Sequence, residues 1–157
     1  MVRVVLRAED GPLASKVTRY THDIVMCQDS ALGMGHSLAA GIAGLTWEWA
    51  FVGLLDMPFV TAQTLQALSA RAQAIDSPAI IRPRLDQRLR YQGKDGIPYG
   101  HPIGWHHSYF EALTECQGDR GARTLLRQYS AQIIEVEVGD PGIVMDIDTP
   151  ADLLQNT

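Results

Sequence analysis

Trp49-Ala50-Phe51-Val52-Gly53-Leu54-Leu55-Asp56-Met57-Pro58 decides how the rest of the chain is read. Its first seven residues carry no charge, as a strand buried on both faces of a parallel sheet requires. Pro58 cannot donate to a sheet ladder and pushes the residue before it away from helical backbone angles, so the strand is expected to end about at Asp56. A carboxylate then stands at the carboxyl end of a central strand. In open α/β sheets that edge lines the ligand crevice, where an acid can bind a hydrated divalent cation that in turn holds a phosphate. An acid that only ends a strand and satisfies loop amides explains Leu54–Pro58 equally well.

Upstream, Val2–Arg7 is a β-branched run, Ala8–Pro12 is turn chemistry, Leu13–Tyr20 has room for two turns of helix and Asp23–Met26 reads as a second strand. Gly33-Met34-Gly35-His36 follows, with Ser37 placed to cap a short helix through Ile42. Two successive β-α-β units predict an α/β fold with a parallel, doubly wound sheet. Downstream, Thr61 can cap a helix whose Leu65, Leu68, Ala72 and Ile75 recur at three- and four-residue steps and share one face. Ala79–Arg82 reads as a strand, and the polar, cationic stretch from Arg84 to Gly100, with Asp95-Gly96, as a loop or hairpin.

Ser108-Tyr109-Phe110-Glu111 has capping-box spacing for a helix to about Cys116, which Gly118–Gly121 ends. A helix from Ala122 to Tyr129 leads into the alternating strand Gln132–Val138, and Asp140-Pro141-Gly142 turns the chain toward Ile143–Met145. Thr149 as N-cap, Pro150 at the first helical position and Asp152 three residues after the cap specify a last helix start.

Composition narrows the class of function. The chain has 157 residues, 46% hydrophobic and 20% charged, enough for one globular domain spanning residues 1–157. Net charge is −5 and no run of Lys or Arg could track a phosphate backbone, which argues against a nucleic-acid partner. Cys27 and Cys116 are the only cysteines, without the spacing of a zinc site, and a reducing cytosol fits them. No apolar stretch approaches the roughly 20 residues of a membrane span, and the start lacks a signal-peptide block, so a cytoplasmic protein with no membrane partner is expected.

Four stretches in order resemble the MobA-like nucleotidyltransferase family, and most of all its molybdenum cofactor cytidylyltransferase branch. They are Gly33-Met34-Gly35-His36-Ser37-Leu38, similar to the family's Gly-Met-x-x-Ser-Leu; Leu55-Asp56-Met57-Pro58; Gly100-His101-Pro102-Ile103; and Asp146-Ile147-Asp148-Thr149-Pro150-Ala151-Asp152-Leu153. Gly118-Asp119-Arg120-Gly121-Ala122-Arg123 is a fifth, found in the cofactor-handling branch. Each is weak alone; five in register are specific.

The resemblance implies a Rossmann-like, doubly wound, mostly parallel sheet, transfer of CMP from CTP, or of GMP from GTP, to a molybdopterin-type acceptor with release of pyrophosphate, and dependence on Mg2+ or Mn2+. It assigns Asp56 and Asp146 as the catalytic, metal-holding acids, with Asp148 as a further metal candidate. Gly35, Ser37 and Asp56 would lie at the nucleotide. His101 and Pro102 would approach the pterin, with Asp119, Arg120 and Arg123 beside the acceptor, since a guanidinium matches phosphate oxygens two at a time. For the glycines, a tight turn is the plain alternative; for His101, a surface loop; for the arginines, solvated charge. Asp152 reads as a helix-start acid, worth about 0.3–1 kcal/mol.

The family pattern opens with a strand and a Leu-Ala-Ala-Gly-x-Ser-x-Arg-Met-Gly triphosphate loop followed by a Lys, and this chain starts at the family's second strand. Without three or four of the loop's charge-assisted hydrogen bonds, affinity is expected to fall by roughly 5–10 kcal/mol. The sheet edge beside Val2–Leu6 would favour a homo-oligomer or a partner such as a molybdoenzyme. Two alternatives follow: a catalytically inactive relative serving as a cofactor-binding or molybdoenzyme accessory protein, and a transferase acting on a sugar or polyol phosphate. Gly100-His101-Pro102 and Gly118-Asp119 favour the molybdopterin acceptor over the sugar.

Overall fold

The structure, a computed structural model, describes residues 1–89, 98–149 and 151–152. Asp95-Gly96, Pro150 and Leu153 lie outside the described residues. In chain order the elements are β1 (Arg3–Arg7), α1 (Gly11–Val17), β2 (Asp23–Cys27), α2 (Met34–Ile42), β3 (Trp49–Val52), α3 (Ala62–Gln73), β4 (Ile80–Leu85), β5 (Ile103–His106), α4 (Phe110–Thr114), α5 (Arg123–Gln128) and β6 (Ile133–Val138). They fall into two compact units, Met1–Trp47 with Ser108–Ser130, and Glu48–His107 with the chain from Ala131 onward.

In the first unit β1 and β2 pair in parallel from Arg3↔Asp23 to Arg7↔Cys27, the expected β-α-β arrangement. Arg3 fixes it from the surface. Its Nε donates to Asp23 Oδ1 at 2.9 Å, and its Nη1 donates to the Gly41 and Ala43 carbonyl oxygens at 3.2 and 2.9 Å, so one guanidinium ties the ladder to the carbonyl end of α2. Leu6, Cys27 and Ile42 are buried here. α2 starts four residues earlier than a Ser37 cap would place it: its N-cap is Gly33, at φ 121° and ψ 166°, so Ser37 lies inside the helix. Such backbone angles are open to glycine and strained for any side chain, and they override the cap that Ser37 offers.

The second unit holds the four-stranded sheet β3-β5-β4-β6. β4 and β6 are parallel over six registered pairs, while β5 runs antiparallel to both β3 and β4. The sheet is thus mixed, with the antiparallel β5 in its interior. β3 stops at Val52, short of Asp56, for a reason in its partner: Val52 pairs with Ile103, and the next residue of β5's chain is Pro102, which has no N–H to continue the ladder.

α3 packs on this sheet through Leu68 and Ala72, which meet Ile81, with Trp49, Phe51, Ile75 and Val136 around them. Thr61 caps it as expected, accepting from the Thr64 N–H. Leu65, placed on the buried face from sequence, is 47% exposed, and Thr64 takes the inward position. A second cluster joins Leu85, Val138 and Ile143. Ile143 belongs to a turn of 3-10 helix over Pro141–Val144. α4 begins at Phe110 with Tyr109 as its N-cap, one residue past the cap that the Ser108–Glu111 spacing suggests. Among the described residues no helix is long and apolar enough to cross a membrane.

Candidate functional site

Two groups of candidate residues are assembled, one in each unit. In the first unit the Gly33–Ser37 and Gly118–Arg123 motifs dock backbone to backbone. The Gly35 N–H donates to the Gly118 carbonyl oxygen at 2.8 Å. A Cβ on Gly35 would stand 2.7 Å from the Gln117 carbonyl carbon, and one on Gly33 would overlap the Gly118 and Asp119 main chain. Both glycines are therefore required by close approach. Gly118 and Gly121, at φ 64° and 49°, turn the partner loop through the left-handed region. That loop presents Asp119, Arg120 and Arg123 as exposed side chains at the start of α5, the Arg123 N–H donating to the Arg120 carbonyl at 3.0 Å. Ser37 is half-buried in the first turns of α2. The Gly35 amide, already bonded to Gly118, is not an open donor for a phosphate.

In the second unit the Asp56 and Asp146 segments run side by side. The Ile147 N–H donates to the Asp56 carbonyl oxygen at 2.8 Å, so the peptide following Asp146 lies against the main chain of Asp56. Asp56, Asp146 and Asp148 are all exposed. Among the described residues no three His, Cys, Asp or Glu side chains gather as a metal site, so these three acids do not form a closed cage. Two exposed carboxylates on neighbouring loops suit a hard, partly hydrated cation that takes its remaining ligands from phosphate and water. They do not suit zinc, which takes three or four nitrogen or sulfur donors.

His101 and Pro102 belong to the same unit, joined by a cis peptide. The His101 N–H donates to the Ile143 carbonyl at 2.9 Å, and its Nδ1 lies 3.4 Å from the Val52 carbonyl. Gly100 abuts the Ile143 main chain so closely that a Cβ there would overlap it. The Gly100-His101-Pro102 motif thus spans from the end of β3 to the Pro141–Val144 turn. His101 is half-buried and Pro102 buried, which is not the free surface loop that a lone His suggests.

Asp140 is a residue that the sequence does not single out. Only 7% exposed, its Oδ2 accepts from the Thr61 N–H at 2.8 Å, the Thr61 hydroxyl at 2.9 Å and the Thr64 hydroxyl at 2.6 Å, while Oδ1 accepts from the Gly142 N–H at 2.9 Å. Burial pushes its carboxyl upward, but the bonds from Thr64, Thr61 and Gly142 outweigh it and leave the pKa below the usual aspartate value. Asp-Pro-Gly reads locally as a turn, and nothing near it in sequence points to Thr61 and Thr64.

At the end of the described chain, Asp152 Oδ2 accepts from the Thr149 N–H at 2.7 Å and its hydroxyl at 2.8 Å, the helix-start role foreseen for that pair. Arg82 and Arg84 face Glu135 and Glu137 across the β4–β6 ladder, with N–O distances of 2.8 Å for Arg82–Glu135 and 2.9 Å for Arg84–Glu137. These cations are committed to the sheet surface.

Comparison with known proteins bears on the same segments. Nicotine blue oxidoreductase of Paenarthrobacter nicotinovorans is 27% identical over 160 residues, which cover 94% of this chain and 71% of that protein. In structure the chain is similar to Rv0371c of Mycobacterium tuberculosis H37Rv, with TM-score 0.74 and 22% identity over 97% of this chain and 73% of that one; Rv0371c is also known as a manganese complex. Molybdopterin-guanine dinucleotide biosynthesis protein A of Archaeoglobus fulgidus has TM-score 0.56 and 16% identity, covering 96% of this chain and 75% of its own. The solved structures share the Rossmann-like α/β fold. Residues 1–133 match the MobA-like NTP transferase domain, and the chain belongs to that family of nucleotidyltransferases.

Proposed function

We propose that the chain transfers CMP, or GMP, from the nucleoside triphosphate to the terminal phosphate of a molybdopterin-type acceptor. An acceptor phosphate oxygen attacks the α-phosphorus, the bond from that phosphorus to the bridging oxygen breaks, and pyrophosphate leaves. Such a transfer asks mostly for alignment and charge neutralisation, because the protein forms no covalent bond of its own. The observation that carries this reading, in a member of a nucleotidyltransferase family, is the hydrogen bond from Ile147 to Asp56, which brings the Asp56 and Asp146 segments together.

In this reading Asp56 and Asp146 hold one divalent cation, Mg2+ or Mn2+, with Asp148 as a reserve ligand. When bound, the ion neutralises charge on the triphosphate oxygens. The manganese complex of Rv0371c, a protein of the same fold, supports a divalent cation in this reading. Arg120 and Arg123 pair with the acceptor's phosphate, with Asp119 beside them, and His101 and Pro102 form a pterin-facing wall. Ser37 lies at the nucleotide's ribose, and Gly35 supports it by letting α2 approach Gln117.

Pyrophosphate release from CTP or from GTP, each with molybdopterin and Mg2+ or Mn2+, tests the reading. Turnover with one nucleotide and strict dependence on both metal and acceptor is the expected result. Nucleotide and pterin binding without pyrophosphate release would favour the accessory protein, and turnover with a sugar or polyol phosphate alone would favour the third reading.

A further inference from the structure

The segments that carry Asp56 and Asp146 touch at more than one point. Thr61 meets Asp140, Gly142 sits so close to the Phe59 carbonyl and Val60 nitrogen that a Cβ would overlap them, and Ile147 bonds to Asp56. As one number falls the other rises, so residues 56–61 and 140–147 lie antiparallel without forming a ladder. The middle is anchored in the core, where Ile143 is fully buried and Met57 nearly so. One end is held by the Ile147–Asp56 bond. The other is held by the Asp140 carboxylate, which takes three hydrogen bonds from Thr61 and Thr64 and one from Gly142.

We propose that Asp140 is a positioning residue for the reaction: it sets the register between the two loops, and so the spacing of Asp56 and Asp146. This rests on the reading of those two acids as a metal-holding pair. A neutral residue at this place could not do the same, because three donors converge on one oxygen and only an anion without hydrogens of its own accepts them all. The carboxylate also sits at the N-terminal end of α3, a 12-residue helix, where its charge is favoured. That much would serve stability alone. The chain of contacts from Thr61 through Gly142 to Ile147 adds the link to the acids.

The test uses the full chain in three variants. Asp140→Asn removes the anion; Thr64→Val removes the hydroxyl at 2.6 Å with little change of shape; Leu68→Ala weakens the same helix through its core face and is the stability control. Two quantities are read: hydrogen exchange of the Ile147 N–H by NMR, and affinity for Mn2+ in the presence of CTP. Asp140→Asn is expected to speed Ile147 exchange at least tenfold while the β4–β6 amides stay protected, and to weaken Mn2+ binding about tenfold. Thr64→Val should shift both in the same direction by less, and it carries the comparison if Asp140→Asn does not fold. Leu68→Ala should lower the melting temperature yet leave both readings within twofold.

Ile147 exchange unchanged in Asp140→Asn would overturn the proposal, as would equal loss of Mn2+ affinity in Asp140→Asn and Leu68→Ala. A wild-type chain without affinity for Mn2+ and CTP would instead contradict the acid-pair reading, and Ile147 exchange would then decide alone whether Asp140 sets the loop register.

Discussion

The Ile147 N–H donates to the Asp56 carbonyl at 2.8 Å, joining two loops that α3, β4, β5, α4, α5 and β6 separate in the chain. Neither loop belongs to a strand, so their relation is held by this bond, by the burial of Met57 and Ile143 and by the Asp140 carboxylate. Each element of that arrangement has a measurable consequence.

Asp140 predicts an acid-sensitive fold. Its folded-state pKa lies below the ordinary aspartate value, so its contribution is fully present above the unfolded aspartate value and is lost as pH falls through the depressed folded value. Denaturant unfolding followed from pH 6 to pH 2 should show stability falling below about pH 4, with a shallower fall for Asp140→Asn. Glu135 and Asp152 are also shifted down, so some slope remains in the variant. Asp140→Asn should itself cost about 3 kcal/mol at neutral pH, because buried donors lose a charged acceptor. Identical acid profiles for the two proteins would refute the role of the carboxylate.

Gly35→Ala separates a packing glycine from a permissive one. Its new methyl would stand 2.7 Å from the Gln117 carbonyl carbon, where only main-chain movement makes room. A loss of about 2–3 kcal/mol is expected, seen as a melting temperature lower by roughly 6–9 °C. Gly11→Ala meets nothing within 4 Å and should be harmless. Equal melting temperatures for Gly35→Ala and wild type would mean that the α2 approach to the Gln117–Gly118 chain is looser than described.

Arg120 and Arg123 are exposed, and among the described residues neither has an ion-pair partner. If they grip the acceptor's phosphate, Arg123→Ala should raise the acceptor KM about tenfold, or ~1.4 kcal/mol, and leave the nucleotide KM unchanged. Arg123→Lys should recover only part of that, since an ammonium cannot form the two-pronged pair. Steady-state kinetics with each substrate varied in turn checks it; an effect on the nucleotide alone would move these residues to the triphosphate.

Local chemistry made much of the fold legible. Thr61 caps α3, the β-branched run Val2–Arg7 contains β1, and Ile133–Val138 is the strand that its alternation predicts. β5 was not legible: Ile103-Gly104-Trp105-His106 is four residues long, and Gly104 lacks a side chain because the Phe51 ring lies 2.6 Å from where its Cβ would be. Missing β5 also hid why β3 stops at Val52, since the limit is Pro102 on the partner strand. Ser37 misled because Gly33 takes backbone angles that no cap preference outweighs. In the candidate site, Asp56 and Asp146 stood out through family motifs, whereas Asp140 acts through Thr61 and Thr64 from far away in sequence, a relation that turn chemistry does not encode.

Whether Asp56 and Asp146 serve one cation is decided by a double-mutant cycle on metal-dependent pyrophosphate release. Asp56→Asn and Asp146→Asn should each lower kcat/KM by about 10²–10³, or roughly 3–4 kcal/mol. Groups that hold the same ion act as a unit, so the double variant should be little worse than the poorer single one. Losses that simply add, or a single variant with wild-type kcat/KM, would contradict the shared site.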